Sequence, residues 1–318
     1  MSNHKSTAQG RAAPAAAPAD PDSVARFVEL LKLRSLAAST QAEYLRYIRK
    51  LATRVDADPA TLDEAQVRAH VLHLKEAHGY SPSSMRTAVA ALTTFYNLHL
   101  GRGWKLFSLV RSPSAQTLPQ VLTRAEVERL FAVIREERFI VILRLIYACG
   151  LRIGEAVTLE VGDLRGGERV HVRAEIAKRN KERYMPLPPA MAEELRAWWR
   201  THRHPRWIFP GVGRGWRDGA DGTAAATLAQ AADPMGVGSI QHCMRLAVAE
   251  AGLPQGTCVH TLRHSYATHL LEEGVSIRLI SAYLGHASLE QTAIYTHLTA
   301  VNEATARAAV ARLLPPRR

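Results

Sequence analysis

A run of turn-forming residues about a third of the way along the chain restricts its fold more than any other feature. Between residues 101 and 121 the helical recurrence of apolar residues stops. Turn-forming and helix-breaking residues replace it there: Gly101, Gly103, Pro113 and Pro119. A chain of 318 residues is long enough to build two cores, one on each side of such a break. We therefore expect a first domain at 22–105, a linker at 106–121 and a second domain at 122–318.

Capping residues mark the helix starts of the first domain. Thr40 with Glu43, and Thr61 with Glu64, fit the pattern in which a side chain at the helix start and a glutamate three residues later bond each other's backbone N–H groups. Ser81-Pro82 supplies a cap followed by a proline, which is well tolerated in the first turn of a helix. These starts predict a compact four-helix unit.

The second domain opens with a further capping pair, Thr123 and Glu126, and its pattern is mostly helical. Residues 170–176 are the exception, because apolar and polar residues alternate there with the period of a strand. Residues 179–181 predict a turn and 183–187 a returning strand. The predicted fold class is mainly α with a small β-hairpin.

Two segments are expected to lack packed structure. Residues 1–21 are rich in Ala, Pro and Asp, which predicts a disordered leader without the apolar core of a signal peptide. The Gly- and Ala-rich stretch 211–238 is interpreted as a flexible surface insertion.

The charge balance favours a polyanionic partner. Lys and Arg number 41 against 29 Asp and Glu, a formal net charge of +12. Such an excess promotes binding to nucleic acid through counterion release, although a basic protein without such a partner has the same composition. Three scattered cysteines favour neither a disulfide framework nor a zinc site and fit a reducing cytoplasm, and no apolar run is long enough to span a bilayer.

Arg152 is a candidate anion-binding residue. In CGLRIGEAVTL, Gly150 ends one helix and the pattern restarts at once, which places Arg152 at a helix N-terminus. A guanidinium beside free backbone N–H groups suits a phosphate oxygen. Glu155, three residues later, is placed to orient Arg152, but a surface ion pair accounts equally well for this segment alone.

The string HTLRHSYATHLLEEG begins at His260 and places His260 and Arg263 on one face of the first helical turn. Alone, such a pair is common on exposed helix faces. His264 and His269 in the same string are interpreted as structural or surface residues.

The string YLGHASLEQTAIYTHL contains His286 in a tight connection after Gly285. Ser288 with Gln291 predicts the start of a further helix, which would carry Tyr295 two turns in. A tyrosine at such a position is, by itself, usually a core residue with a satisfied hydroxyl.

In combination, these residues follow one another in the order typical of the tyrosine recombinase family. The chain resembles that family, which includes phage integrases, Xer-type recombinases and integron integrases, from about Asp22 to beyond Tyr295. The resemblance implies two arginines that clamp the scissile phosphate, two histidines that assist, an acidic residue that supports the first arginine, and a nucleophilic tyrosine. In that order the matching residues are Arg152 and Arg263, His260 and His286, Glu155, and Tyr295.

The family's hairpin usually reads GKGNKER, and residues 177–183 here read AKRNKER. Lys178 therefore matches the lysine that protonates the leaving oxygen, and Lys181 is a second candidate for that role. Both flanking glycines are replaced, so we expect a stiffer loop.

The physical chemistry of phosphodiester attack agrees with these roles. Negative charge builds up on the phosphate oxygens, and cationic donors held in place stabilise it. A tyrosine hydroxyl has an ordinary pKa near 10 and needs a base or a strong cationic field to react. The leaving 5′ oxygen needs a proton donor.

The resemblance implies a two-domain C-shaped clamp around duplex DNA, in which the first domain is a helical core-binding domain. It further implies site-specific recombination by a homotetramer, through 3′-phosphotyrosyl intermediates and a Holliday junction, with no metal and no cofactor. We expect such an enzyme at the nucleoid of a bacterial cytoplasm. The helix predicted after Tyr295 packs either on its own domain or on a neighbouring protomer.

Two other functions use similar parts. A type IB topoisomerase relaxes supercoils by related chemistry as a monomer, and a catalytically silent accessory protein only binds DNA. Within the family, the altered hairpin counts against chromosome-dimer resolution, and the composition of 211–238 counts against the helical insertion of an integron integrase. We therefore favour a recombinase of a transposon or other mobile element.

Overall fold

The computed structural model describes residues 22–111, 118–177, 181–212, 223–286 and 288–295. Contacts along the chain fall into two compact units, Met1–Gln116 and Thr117–Arg318. Within the described ranges the chain is mainly helical and contains one small antiparallel sheet, so the predicted fold class is confirmed.

In its described residues, 22–111, the first unit consists of five α-helices with one 3₁₀ turn and one π-helical turn between them. The α-helices are α1 (Asp22–Leu33), α2 (Ala38–Val55), α3 (Glu64–Glu76), α4 (Pro82–Thr93) and α5 (Leu106–Leu109). The 3₁₀ turn is Pro59–Thr61 and the π-helical turn is Thr94–His99.

Aromatic side chains form the centre of the first unit's core. Phe27 of α1 meets Phe95 edge-on at 5.1 Å between ring centroids, and Tyr96 stacks on Trp104 at 4.6 Å. The hydroxyl of the buried Tyr96 donates to the carbonyl of Pro59, so its polar atom is satisfied. Leu106 and Phe107 of α5 also belong to this core, although the linker was expected to begin at residue 106.

One of the three predicted helix caps in this unit is confirmed and two are wrong. Ser81 caps α4, since its Oγ accepts from the N–H of Ser84. The helix expected after Thr40 begins instead at Ala38, without a side-chain cap. Thr61 lies in the 3₁₀ turn and bonds the Asp58 carbonyl, and Asp63 caps α3 in its place. The aspartate two residues later offers the stronger acceptor, so the helix starts there.

The second unit contains the remaining elements. The helices are α6 (Arg124–Ala132), α7 (Glu137–Cys149), α8 (Ile153–Val157), α9 (Pro189–His202), α10 (Thr223–Ala229), α11 (Val237–Glu250), α12 (Val259–Glu272), α13 (Ile277–Leu284) and α14 (Glu290–Ala293). The strands are β1 (Leu164–Arg165), β2 (Arg169–Val172) and β3 (Arg183–Pro186), in the order β1-β2-β3 with antiparallel pairs.

Helix α7 is the centre of the second unit, because it is apolar on nearly every side and α9 and α12 pack against it. The predicted capping pair at the start of this domain is confirmed: Thr123 and Glu126 bond each other at the start of α6. The core therefore holds α12 and the end of α7 together, and the candidate residues lie at that junction.

The predicted hairpin is confirmed as the pair β2 and β3, but β2 is shorter than expected. It ends at Val172 because the N–H groups of Ile176 and Ala177 both turn back to the carbonyl of Arg173. A third strand, β1, pairs with β2 and had no signal in the sequence. The turn predicted at 179–181 lies largely outside the described residues.

The interpretation of 211–238 as a flexible insertion is wrong for its described part. Residues 223–229 form α10, and Leu228 and Met235 are buried in the core. The N–H of Gly211 donates to the carbonyl of Asp233, which closes the base of the segment. The Gly- and Ala-rich composition hid this because one buried side chain in α10, Leu228, and one after it, Met235, carry the contacts with the core.

Candidate active site

Arg152 stands at the start of α8, as predicted. Helix α7 ends at Cys149, and Gly150 turns the chain with a φ of +62°, a conformation that lacks strain only for glycine. Arg152 makes two hydrogen bonds to Glu155, each 2.8 Å long. Its backbone N–H donates to Oε2, and Nη1 of its side chain donates to Oε1. With 23% of its side chain exposed, the guanidinium still reaches solvent.

Glu155 is buried and fully bonded, with 2% of its surface exposed. Its Oε1 accepts from Nη1 of Arg152 and Nη1 of Arg183, and its Oε2 accepts from the N–H of Arg152 and Nη2 of Arg183. Burial by itself would raise the pKa of Glu155, but the bonds and charge of Arg183, joined by those of Arg152, hold it below the ordinary 4.5. The alternative of a surface ion pair is therefore wrong.

Arg183, the first residue of β3, is the side chain that completes this carboxylate site. It is 7% exposed, and its two Nη atoms bond Glu155 at 3.0 and 2.6 Å. Its Nε donates to the carbonyl of Tyr283 at 2.7 Å. The sequence analysis treated Arg183 only as the start of a strand.

Arg263 is almost completely buried, with 1% exposed. Its Nη1 donates to the carbonyl of Gly150 and its Nη2 to the carbonyl of Leu284, each at 2.6 Å. Burial, followed by the repulsion of Arg152, lowers the pKa of Arg263 to about 9, so the group remains charged at pH 7. Arg263 thus ties the ends of α7 and α13 to α12.

His260 and His264 lie one turn apart on α12. His260 is exposed, and its ring meets that of His264 edge-on at 4.5 Å between centroids. His264 Nδ1 is 2.8 Å from the hydroxyl oxygen of Tyr295. Burial, then the charges of His260 and Arg263, lower the pKa of His264 to about 4. His264 is therefore neutral at pH 7, and its interpretation as a merely structural or surface residue missed this contact.

Tyr295 is 2% exposed and packs with α12 and α13. Burial raises the pKa of its hydroxyl, against the opposing fields of Arg263 and Arg152. The predicted helix is wrong in extent, because α14 covers only Glu290–Ala293 and Tyr295 follows it in a 3₁₀ turn. Ser288 does not cap it; the N-cap is Leu289, which makes no side-chain bond.

His286 follows Gly285, which ends α13 with a φ of +62°. Its Nδ1 is 2.7 Å from Thr292 Oγ1, and its ring lies nearly parallel to that of Tyr295, at 6.5 Å between centroids. Burial, then the charges of Arg263 and Arg152, lower the pKa of His286 to about 4. The tight connection predicted for His286 is confirmed.

Of the two candidate lysines, only Lys181 can be described. Lys178, at the predicted hairpin tip, lies outside the described residues. Lys181 is exposed and lines an open cleft of about 690 Å³ that also borders His286 and Arg278. A cation on this hairpin therefore adjoins the candidate site.

Arg183 and His264 are the members of the site that the sequence analysis missed. The only available signals were their places in the strings: Arg183 ends the hairpin motif and His264 directly follows Arg263. Neither position reveals that Arg183 bonds Glu155, 28 residues before it, or that His264 bonds Tyr295, 31 residues after it.

In the part of the chain that the structure places, no three His, Cys, Asp or Glu side chains are grouped as a metal site. None of the helices described here is long and apolar enough to cross a bilayer.

Comparison with family models gives two matches. Residues 120–301 match the phage integrase family, and residues 24–106 match the phage integrase N-terminal SAM-like domain. The first range falls within the second compact unit and the second range within the first.

Relatives and solved structures agree with these matches. The tyrosine recombinase XerD of Caulobacter vibrioides is 32% identical over 296 residues, covering 86% of this chain and 90% of that protein. The structure of a lambda integrase dimer bound to a COC′ core site matches with a TM-score of 0.63 at 17% identity, over 86% of this chain and 93% of that one. A lambda integrase tetramer bound to a Holliday junction matches with a TM-score of 0.64 at 18% identity, over 85% and 76%. The gathered Arg152, Arg263, His286 and Tyr295 and these matches lead to one conclusion: the chain belongs to the phage integrase family of tyrosine-type site-specific recombinases.

Proposed function

We propose that Tyr295 is the nucleophile of this site-specific recombinase and that it forms a 3′-phosphotyrosyl bond with one DNA strand. The observation that carries the proposal is the surroundings of the Tyr295 hydroxyl. It bonds the neutral His264 at 2.8 Å, while the nearby Arg263 and Arg152 exert fields that favour its ionisation. Such a setting suits a phenol that must lose its proton when it attacks.

In the proposed cleavage step, the Tyr295 oxygen attacks the scissile phosphorus, a new P–O bond forms, and the phenol proton passes to the neutral His264, whose Nδ1 is 2.8 Å away. The bond to the 5′ oxygen breaks, and that oxygen leaves with a proton from Lys178 or, as second candidate, Lys181. Arg152 and Arg263 bind the non-bridging oxygens, with His260 and His286 beside them. In the reverse sense, a 5′ hydroxyl of a partner strand attacks the phosphotyrosine and releases Tyr295, so ligation needs no ATP.

We further propose that the partner is duplex DNA with a defined site and that a homotetramer exchanges strands through a Holliday junction. Similar solved structures are a lambda integrase dimer bound to a core site and a lambda integrase tetramer bound to a Holliday junction, which supports this assembly. The altered hairpin AKRNKER supports a recombinase of a mobile element. The helix α10 within 211–238 removes the composition argument against an integron-type insertion. The hairpin sequence alone therefore supports the choice of a mobile-element recombinase.

The test is covalent trapping on nicked suicide duplexes that carry candidate sites from the gene's own neighbourhood, read on a denaturing gel. We expect an adduct with the unaltered protein, none with Tyr295→Phe, and an adduct with Tyr266→Phe. Tyr266 is a matched control because it is a buried tyrosine of the same cluster. Tight binding without an adduct from the unaltered protein overturns the proposal in favour of a DNA-binding accessory protein. Relaxation of plasmids that lack any such site favours a topoisomerase.

A further inference from the structure

Arg183 is a buried charge in the second unit that the family roles leave unassigned. A guanidinium taken out of water is costly unless its N–H groups find acceptors. Arg183 is 7% exposed, and Nε, Nη1 and Nη2 all donate to oxygens at 2.6 to 3.0 Å. Its bonds therefore fix its position closely.

The first consequence concerns Arg152. A carboxylate offers about four acceptor positions, and those of Glu155 are filled by two bonds from Arg152 and two from Arg183. Arg152 is bonded to the carboxylate on one side and Arg183 on the other. The orientation of Arg152 thus depends on Arg183 through the shared Glu155.

The second consequence concerns the segment before His286. Nε of Arg183 holds the carbonyl of Tyr283, and the next carbonyl, that of Leu284, holds Arg263. Gly285 lies so close that a Cβ built on it would be 3.0 Å from Cδ of Arg183. The connection that carries His286 is therefore packed directly on the Arg183 side chain.

We propose that Arg183 is a positioning residue for DNA cleavage, which aligns Arg152 through Glu155 and His286 through the segment 283–285. This inference rests on the proposed function and deepens it. Arg183 touches no reacting atom; it couples strand β3, whose hairpin carries the candidate lysines, to the two sides of the phosphate site.

The experiment compares Arg183→Lys with Arg173→Lys in the full chain. Lysine keeps the charge beside Glu155 but loses the two-pronged geometry. Arg173 is the control, since it is an arginine near the same sheet that forms ion pairs with Asp163 and Glu160 but none with Glu155. The substrates are the suicide duplex that traps the unaltered protein and the same duplex with a methylphosphonate, which lacks one charged oxygen, at the scissile position.

We expect Arg183→Lys to slow adduct formation on the phosphodiester by about 100-fold, the scale of a misplacement near 1 Å, with unchanged DNA affinity. The methylphosphonate carries less negative charge for an arginine to stabilise. On that substrate the loss of rate caused by Arg183→Lys should therefore shrink to about tenfold or less. Arg173→Lys should react like the unaltered protein on both. An equal loss on both substrates, or none, overturns the inference.

A second measurement needs no DNA and keeps the inference separate from the proposed function. Arginine side-chain NMR, assigned with Arg152→Lys, should show the Arg152 guanidinium signals broadened or shifted in Arg183→Lys and in Arg183→Gln, but not in Arg173→Lys. Unchanged Arg152 signals in a folded Arg183 variant refute the positioning role. If the unaltered protein traps no DNA but the Arg183 variants show these NMR shifts, only the proposed function is refuted.

Discussion

Arg263 is the largest side chain with less than 2% exposure among the described residues, and it is a cation. Its burial is tolerated because two backbone carbonyls, of Gly150 and Leu284, accept its N–H groups at 2.6 Å. Charged donors that are already desolvated and held need little reorganisation when charge develops on a phosphate. On the proposed function, the burial that these two bonds make possible also prepares the site for catalysis.

Several histidines of this chain are buried in their neutral form. His202 is 3% exposed, and burial, followed by the charge of His204, lowers its pKa to about 4. In the unfolded chain its pKa is near 6.5, so between pH 6.5 and 4 the unfolded state binds more protons. Its contribution to stability is complete above pH 6.5 and is lost as the pH falls towards 4.

We therefore expect the free energy of unfolding to fall between pH 7.5 and 5.0, and His202→Gln to reduce that fall by up to about 2 kcal/mol. Glutamine keeps an acceptor for the N–H of His204, which now bonds His202 Nδ1. Denaturant unfolding of both proteins at the two pH values measures this difference. The same fall in both proteins would show that His202 does not titrate on unfolding.

At this scale the sequence identified candidate residues but not their contacts. Arg152, His286 and Tyr295 were identifiable as candidates because they lie in short strings of fixed spacing, and their roles stay predictions. Arg183 and His264 were not, since their importance comes from Glu155 and Tyr295, which only the folded chain brings within 3 Å. Lys178 stays a prediction.

At the scale of elements, the turn between α7 and α8 holds the site together. Gly150 gives its carbonyl to Arg263, and a Cβ built there would be 2.4 Å from Cδ1 of Tyr266 and 3.1 Å from a methyl carbon of Leu284. Position 150 therefore excludes a side chain for two reasons, a positive φ and the lack of space.

We expect Gly150→Ala to destabilise the protein by about 2 to 4 kcal/mol, from backbone strain plus overpacking. Gly274→Ala is the matched control: its φ is +81° but nothing lies within 4 Å of the added Cβ, so only the strain of about 1 to 2 kcal/mol remains. Denaturant midpoints of the two variants give the comparison. Equal losses of stability in the two variants would mean that the Tyr266 ring moves aside at no cost when a Cβ is added at position 150.

Some element boundaries were predicted correctly and others were not, because neighbouring side chains compete to cap the same helix. Caps at Ser81 and Thr123 were right because no better acceptor stands nearby. The cap at Thr61 was wrong because Asp63 was available two residues later. β1 was invisible in the sequence because a strand of two residues has no period to detect.

At the scale of the whole molecule, the net charge of +12 accompanies two compact units joined by one segment. The division into two cores followed from the glycines and prolines of 101–121. The shared role of both units on DNA belongs to the proposed function, and their charge gives a test that does not depend on the cleavage chemistry.

We expect DNA affinity to fall linearly on a double logarithmic plot against salt, with a slope of about −5 or steeper if six or more phosphates are contacted. Arg278→Gln, which removes an exposed cation beside the cleft of Lys181 and His286, should reduce the slope by about 1. Arg26→Gln, an exposed arginine paired with Asp22, is the control and should leave it unchanged. Fluorescence anisotropy at several salt concentrations measures all three. A flat plot contradicts phosphate binding as the main source of affinity.

The sheltered hydroxyl of Tyr295 has a consequence for the safety of the genome. An enzyme that slides over millions of phosphodiesters would be a hazard if its nucleophile were always presented. Here the ring is 2% exposed and its hydroxyl is occupied by His264, so a chance encounter with a phosphate finds no attacking group. On the proposed function, the buried Tyr295 has to be opened to the bound phosphate before any strand is cut, and discrimination between the right DNA and the rest of the chromosome can begin before chemistry does.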